Sequence, residues 1–343
     1  MSLKSDIQTA VLKTLETGHA IGNSGITIEA PKVFCIEGHA VPLKSMLEPY
    51  EVALLYVLAK DFYTGAGYIV DAGCLFGIST VALAAGIRQN AHCAKIDLPI
   101  QSFDLFEVNP PYDEFAAEFH TFGPTSNALG TFLKFNAANL DLVSPHQGDF
   151  LNWKWNADAP VEIIFNDLSK TVDLNNHMFQ QFVSRLIPGK GFFFQQDYVH
   201  FAEWWIAASI EYYADDFEEL GYYYGATKLY RLKADRKPDF ESFNLRDLSF
   251  ETIERLLIQA MERAPVTVRE ALRTALGMFY VDTAKYDLAL QTVLPLQLGQ
   301  EEMDVLMNAD LPEHENFARV LPSNRRNVIE YARNQTPNAG TKF

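Results

Sequence analysis

The chain has 343 residues, room for one large domain or two modest ones, with 48% hydrophobic and 21% charged residues in an ordinary globular balance. Its 28 Lys and Arg against 44 Asp and Glu give a formal net charge of −16, and no basic run exceeds Arg325-Arg326, so a nucleic-acid partner is not expected. No apolar run approaches the roughly 20 residues that cross a bilayer. The N-terminus lacks an apolar signal core, and Cys35, Cys74 and Cys93 are unevenly spaced, like thiols of a reducing compartment; a cytoplasmic protein without membrane contact is expected.

Residues 1–45 read as a leader or cap, with helical periodicity over Ile7–Leu15 and extended pieces at 26–28 and 32–36. Glu48–Asp61 is amphipathic, with Val52, Leu55, Tyr56 and Leu58 at helical spacing. From Gly67 the pattern alternates: strands at 68–72, 100–106, 143–148, 161–166 and 191–197, with helices near 78–89, 125–139 and 173–187. Such alternation implies a parallel sheet covered on both faces. A helix over Phe201–Phe217 precedes strands at Leu220–Tyr224 and Thr227–Lys233, whose short Gly225-Ala226 connection permits only antiparallel pairing. After Lys237-Pro238 helical patterns take over at Leu248–Met261, Val266–Met278 and Ala284–Leu290, the last two joined through Phe279-Tyr-Val-Asp282 and the series punctuated by Pro265, Pro295 and Pro312. Asn334–Phe343 is a polar tail. The expected division is a leader at 1–45, a ligand-binding domain at 46–237 and a mainly helical region at 238–343.

The most informative stretch is Gly67-Tyr-Ile-Val-Asp-Ala-Gly-Cys-Leu-Phe-Gly-Ile-Ser-Thr80. It reads as a buried strand turning sharply into a helix, with glycines where the backbone must approach something closely. The spacing Asp71-x-Gly73-x-x-x-Gly77 departs from the G-x-G-x-x-G of dinucleotide sites and argues against a nicotinamide oxidoreductase. It resembles motif I of the class I S-adenosylmethionine-dependent methyltransferases, whose loop holds the methionine end of the cofactor.

Further landmarks follow in the order of that family. Asp104 ends the second strand, where an acid can accept ribose hydroxyls, with Glu107 as the alternative. Asp149, in Gln147-Gly-Asp-Phe150, falls where the resemblance puts an acid beside the adenine, and Ser79 where a serine holds the cofactor carboxylate. Val161-Glu-Ile-Ile-Phe-Asn-Asp-Leu-Ser-Lys170 is similar to the fourth-strand motif of the cation-dependent O-methyltransferases of the catechol and caffeoyl-CoA group. That resemblance implies Asp167 as a ligand of a divalent ion such as Mg2+ and Lys170 as acceptor of the hydroxyl proton. The fifth strand ends Phe194-Gln-Gln-Asp-Tyr-Val-His200, in which Asp197 matches the shared acid and second metal ligand. Tyr198 and Gln196 depart from the Asp-Asn of the catechol group and the Asp-Asp-Tyr of the macrocin-type sugar enzymes. His200 is the second candidate base, since an unperturbed imidazole titrates near pH 6.5.

Residues 46–235 together resemble a small-molecule O-methyltransferase of class I. The resemblance implies an α/β Rossmann-like sheet, mostly parallel with the last strand antiparallel, followed by a mainly helical C-terminal region. It implies S-adenosylmethionine as cofactor and in-line transfer to a hydroxyl of a sugar, phenolic or natural-product-like molecule. The altered fifth-strand acids favour a second reading, an inactive S-adenosylmethionine- or substrate-binding module working through its C-terminal helices. Those helices could instead cover the site, bind a carrier or join a homo-oligomer.

Overall fold

The computed structural model describes residues 2–17, 26–30, 33–36, 43–44, 46–94, 96–108, 128–223, 227–294 and 312–335. Internal contacts divide the chain into two compact units, Met1–Asp167 with Gln181–Phe194, and Leu168–Gln180 with Gln195–Phe343.

In the first unit, helix α1 (Leu3–Thr17) precedes a small antiparallel sheet of β1 (Ile26–Ala30), β2 (Val33–Ile36) and β3 (Leu43–Lys44). Helix α2 (Pro49–Val57) starts on a proline, whose fixed φ and missing N–H suit a first helical turn. A capping box reinforces it: the Glu48 N–H donates to Glu51 Oε2 at 2.9 Å. Glu51–Val57 is buried throughout, and a π-helical turn, Leu58–Phe62, closes the element.

Four parallel strands form the centre of this unit: β4 (Tyr68–Ala72), β5 (Ile100–Asp104), β6 (Val143–Gln147) and β7 (Val161–Asn166). Ile69 lies opposite both Ile100 and Ile163, and Ile100 opposite Val143. All six residues of β7 are buried, as a strand covered on both faces must be. Its one carboxylate, Glu162, accepts the N–H groups of Thr64 at 2.7 Å and Ala66 at 2.9 Å, just ahead of β4. Helix α3 (Ile78–Gln89) and α4 (Leu129–Phe135), the latter followed by a 3-10 turn at Ala137–Asn139, complete the unit with β8 (Phe192–Gln195). The passage from β6 to β7 holds only a 3-10 turn, Phe150–Asn152, although it crosses two strands.

The second unit contains α5 (Val172–Gln181), α6 (Trp204–Tyr212), strands β9 (Phe217–Tyr223) and β10 (Thr227–Leu232), and helices α7 (Phe250–Arg263), α8 (Val266–Asp282), α9 (Tyr286–Val293) and α10 (Pro312–Asn334). β9 and β10 are antiparallel, with Phe217 opposite Leu232; the connection at 224–226 lies outside the described residues. The Trp204 and Trp205 side chains are fully buried. Trp204 donates its indole N–H to Asp282 Oδ2 at 2.8 Å and meets Phe279 edge-on at 4.8 Å, so α6 and α8 share a core.

The large sheet runs β6-β5-β4-β7-β8-β10-β9, an α/β Rossmann-like order with one antiparallel pair at its end. Each expected strand between Tyr68 and Gln195 is present. Several helical expectations change; that near 173–187 ends at Gln181 and is followed by a 3-10 turn, Val183–Arg185. The helix expected over 201–217 is confined to Trp204–Tyr212: turns flank it on both sides, and Phe217 already begins β9. Phe279–Asp282 is the last turn of α8 and no joint, held helical by the burial of Phe279 against Trp204. The expected helix at 125–139 is reduced to α4 and its 3-10 turn, with 125–127 outside the described residues. Among the described residues no helix is long and apolar enough to cross a membrane.

Candidate functional site

Strand β4 ends in Asp71-Ala72, and the chain then leaves the sheet through Gly73 (φ 90°), Leu75 (φ 44°) and Gly77 (φ 89°) before α3 begins. These are left-handed conformations that glycine adopts without penalty. A Cβ on Gly73 would stand 2.8 Å from the Asp167 carbonyl oxygen, and one on Gly77 would stand 2.6 Å from the Phe132 ring and against Asn136. The close approach foreseen at both glycines is therefore to the protein itself.

Asp71 is fully buried. Its Oδ2 accepts the Ser79 hydroxyl at 3.0 Å and the Thr80 hydroxyl, and Thr80 in turn lies 3.1 Å from Ser102 Oγ on β5. Its Oδ1 has no protein partner. Burial pushes the carboxyl up to about 7, against the pull of the two hydroxyls. Asp71 and Ser79 thus hold the loop from inside. Ser79 is buried and gives its only hydroxyl proton to Asp71, so it does not hold a cofactor carboxylate through that hydroxyl.

Asp104 reaches the same loop from β5. Its Oδ2 accepts the Leu75 N–H at 2.8 Å and its Oδ1 the Phe106 N–H at 2.7 Å. Burial raises its pKa and the two N–H donors oppose that rise. The carboxylate is only half-buried, and two oxygens with about four lone-pair sites keep capacity for further donors. Gly148 donates its N–H to the Asp104 carbonyl at 3.0 Å, bringing the end of β6 beside the end of β5. Asp149, exposed, caps the turn at Phe150–Asn152 by accepting the Leu151 N–H at 3.0 Å. Glu107 is exposed beyond Phe106. Asp71, Asp104 and Asp149 thus follow one another along the carboxyl edge of β4, β5 and β6. Asp167 is tied to the same edge, its N–H donating to the Ala72 carbonyl at 2.8 Å.

The second unit brings together Lys170, Asp197 and His200. The Lys170 ammonium is ion-paired with Asp197, and the His200 N–H donates to the Asp197 carbonyl at 2.9 Å. Burial alone would raise the Asp197 pKa, but Lys170 and His200 outweigh it and hold the carboxyl below the usual range. Burial lowers the His200 pKa, partly opposed by Asp197. An ammonium in an ion pair is a donor with no lone pair, so Lys170 in this arrangement has no site for a further proton. The expected metal ligation by Asp167 and Asp197 does not fit the residues present. Among the described residues no group of three or more His, Cys, Asp or Glu could hold a metal ion, and Asp197 already faces a cation. No step through Mg2+ follows from this donor set.

Sequence reasoning passed over Thr80, Ser102 and Asn136. Thr80 and Ser102 carry the Asp71 network, and the buried Asn136 directs its amide at the Gly77 carbonyl, 3.4 Å away, and the Phe132 carbonyl at 3.1 Å.

No known family profile matches this chain, and no curated protein matches it. Among solved structures, coclaurine N-methyltransferase bound to N-methylheliamine and SAH aligns with 96% of this chain and 80% of its own, at 12% identity and a TM-score of 0.26. The fold assignment rests on the strand order and owes nothing to that likeness.

Proposed function

We propose that the chain transfers the methyl group of S-adenosylmethionine to a hydroxyl of a small molecule, with 46–237 as the cofactor domain and 238–343 as its helical companion. The observation that carries this reading is the sheet order β6-β5-β4-β7-β8-β10-β9 with its antiparallel β9–β10 pair, combined with a left-handed glycine loop after β4 and acids closing β5 and following β6. The donor set of the first unit fits the cofactor. Asp104 has lone pairs left for ribose hydroxyls, with Glu107 beside it, and exposed Asp149 can accept an exocyclic amine. The amino end of α3 favours a carboxylate through its backbone N–H groups and dipole.

The sulfonium cofactor supplies an electrophilic methyl group. The protein's own part is largely positioning. Asp71, through Ser79 and Thr80, fixes the turn into α3, and Asp104 fixes Leu75 within it. His200 receives the acceptor's hydroxyl proton; burial lowers the pKa of its imidazole, partly opposed by Asp197. Lys170 holds the Asp197 carboxylate, and the Asp197 backbone carbonyl accepts the His200 backbone N–H.

Calorimetry with S-adenosylmethionine and S-adenosylhomocysteine tests the cofactor half: micromolar binding is expected, and absence of binding to both overturns the reading. Asp104→Ala should weaken binding by about 1.5–3 kcal/mol, the range of a charge-assisted hydrogen bond. Binding without transfer to any of a panel of hydroxylated acceptors would favour the inactive binding module instead. His200→Ala should reduce turnover by about 100-fold or more while leaving cofactor affinity unchanged.

A further inference from the structure

The first unit contains a cavity of about 390 Å3 that touches none of the residues assigned above. It follows one face of the sheet, from Tyr68 and Leu98 at the amino ends of β4 and β5 to Phe103 and His146, each one residue short of its strand's end. Tyr68 begins β4 and Leu98 precedes β5, whereas Gly73 and Asp104 lie where those strands end. At about 3.3 Å per residue, Tyr68 and Gly73 are roughly 16 Å apart along the strand. The cavity shares no lining residue with the acids of the cofactor edge, and Phe103 is where its wall comes nearest to Asp104 in the chain.

Its origin is the missing crossover helix between β6 and β7. Trp153 and Trp155, alternate residues of an extended segment, cover the sheet there, and both remain half-buried. They join a continuous aromatic wall. Phe103 stacks on His146 at 4.5 Å with planes 19° apart, and Trp153 meets these two rings edge-on at 5.6 and 4.7 Å. Trp155 stands edge-on to Tyr68 at 5.8 Å.

The polar groups in the wall are held in fixed roles. Gln101 donates Nε2–H to the Leu98 carbonyl at 2.6 Å, which leaves its Oε1 to accept from His146 Nε2 at 2.7 Å. In that arrangement the imidazole donates through Nε2, and burial lowers its pKa. Leu98 itself is left-handed, φ 45°, a strained conformation for a leucine and of the kind concentrated at ligand sites. Two charged side chains line the cavity, Asp97 and Lys154, both exposed at its rim.

Electron-rich ring faces attract organic cations, most strongly at tryptophan, and the chain's net charge of −16 raises their local concentration. The volume lies in the lower part of the roughly 300–1,000 Å3 range of small-molecule sites and exceeds what an ammonium head alone would fill. We propose that this cavity binds a small arylalkylammonium ion, its ring against Trp153 and Trp155 and its ammonium at Asp97.

The test is a titration of the full chain with phenethylammonium chloride, followed by tryptophan fluorescence and calorimetry. Trp204 and Trp205 are fully buried, so a change in emission reports Trp153 and Trp155. Saturable binding is expected, about tenfold tighter than for neutral 2-phenylethanol, as cation–π and carboxylate attraction together require. Asp97→Asn, at an exposed position where folding is not at stake, should erase the difference between amine and alcohol, and Trp155→Ala should weaken both about tenfold. Three results would overturn the proposal: no saturable binding, an alcohol that binds as well as the amine, or tighter binding of 3-phenylpropanoate at Lys154. None of these readouts involves S-adenosylmethionine, so the cofactor assignment stands or falls separately.

Discussion

Asp71 carries a pH dependence that follows from its burial. In an unfolded chain its carboxyl titrates near 4, and in the folded protein it is pushed up to about 7. Between those values the folded state keeps a proton that the unfolded state has lost, so unfolding free energy falls as pH rises through this window, by about 4 kcal/mol, and falls no further above it. Asp71→Asn removes the titration. Relative to the parent, the variant should gain about 3–4 kcal/mol between pH 4.5 and pH 8 in urea unfolding. Parallel stability curves would show that the folded carboxyl holds no such proton. The residue types at this site were legible in the sequence: the acid, the two glycines and the acids at 104 and 149 stand on one sheet edge. Their partners were not legible. Whether Ser79 faces a ligand or Asp71, and whether Gly73 leaves room for a ligand or for Asp167, depends on which strand lies alongside, and nothing in Gly67–Thr80 encodes that neighbour.

The strand–loop–helix element built on β4 is intolerant of side chains at its turn. Gly73 combines φ 90° with a Cβ position 2.8 Å from a backbone oxygen of Asp167 that cannot swing away. Gly73→Val should therefore destabilise the fold by about 3 kcal/mol or more, seen as a lowered thermal midpoint, rather than affect ligand binding alone. An unchanged midpoint would mean that the loop can take another path. Strands were read well because β4 and β7 are short β-branched runs with glycine, proline or asparagine near their ends. Helix limits were read less well. Phe279-Tyr-Val-Asp282 has a strand-like composition, yet burial of Phe279 against Trp204 keeps it in α8, a tertiary contact overriding local propensity. Pro322 lies within α10, where a proline would ordinarily mark an end.

For the molecule as a whole, alternation of strand and helix patterns was enough to foresee a mostly parallel sheet with an antiparallel pair at its end. Its division into two units was not foreseeable, because two of the limits, at 180 and 194, fall inside α5 and β8. The change of composition after Lys237 marks where helices take over, while packing joins α6 to α8 across it through Trp204, Phe279 and Asp282. A chain ending at Lys237 would expose Trp204 and leave its indole N–H without Asp282. It should lose cooperative thermal unfolding or aggregate, as circular dichroism and gel filtration would report; a monomer melting like the full chain would contradict this. One last consequence concerns length. The carboxylate of Glu162 grips the backbone at Thr64 and Ala66, and that of Asp104 grips it at Leu75, so β4 is fastened at both ends by its two neighbours. The span between the grips works as a gauge: one residue added or removed there cannot slide out at either end, and every homologous chain that keeps both carboxylates should keep the count from 66 to 75 unchanged.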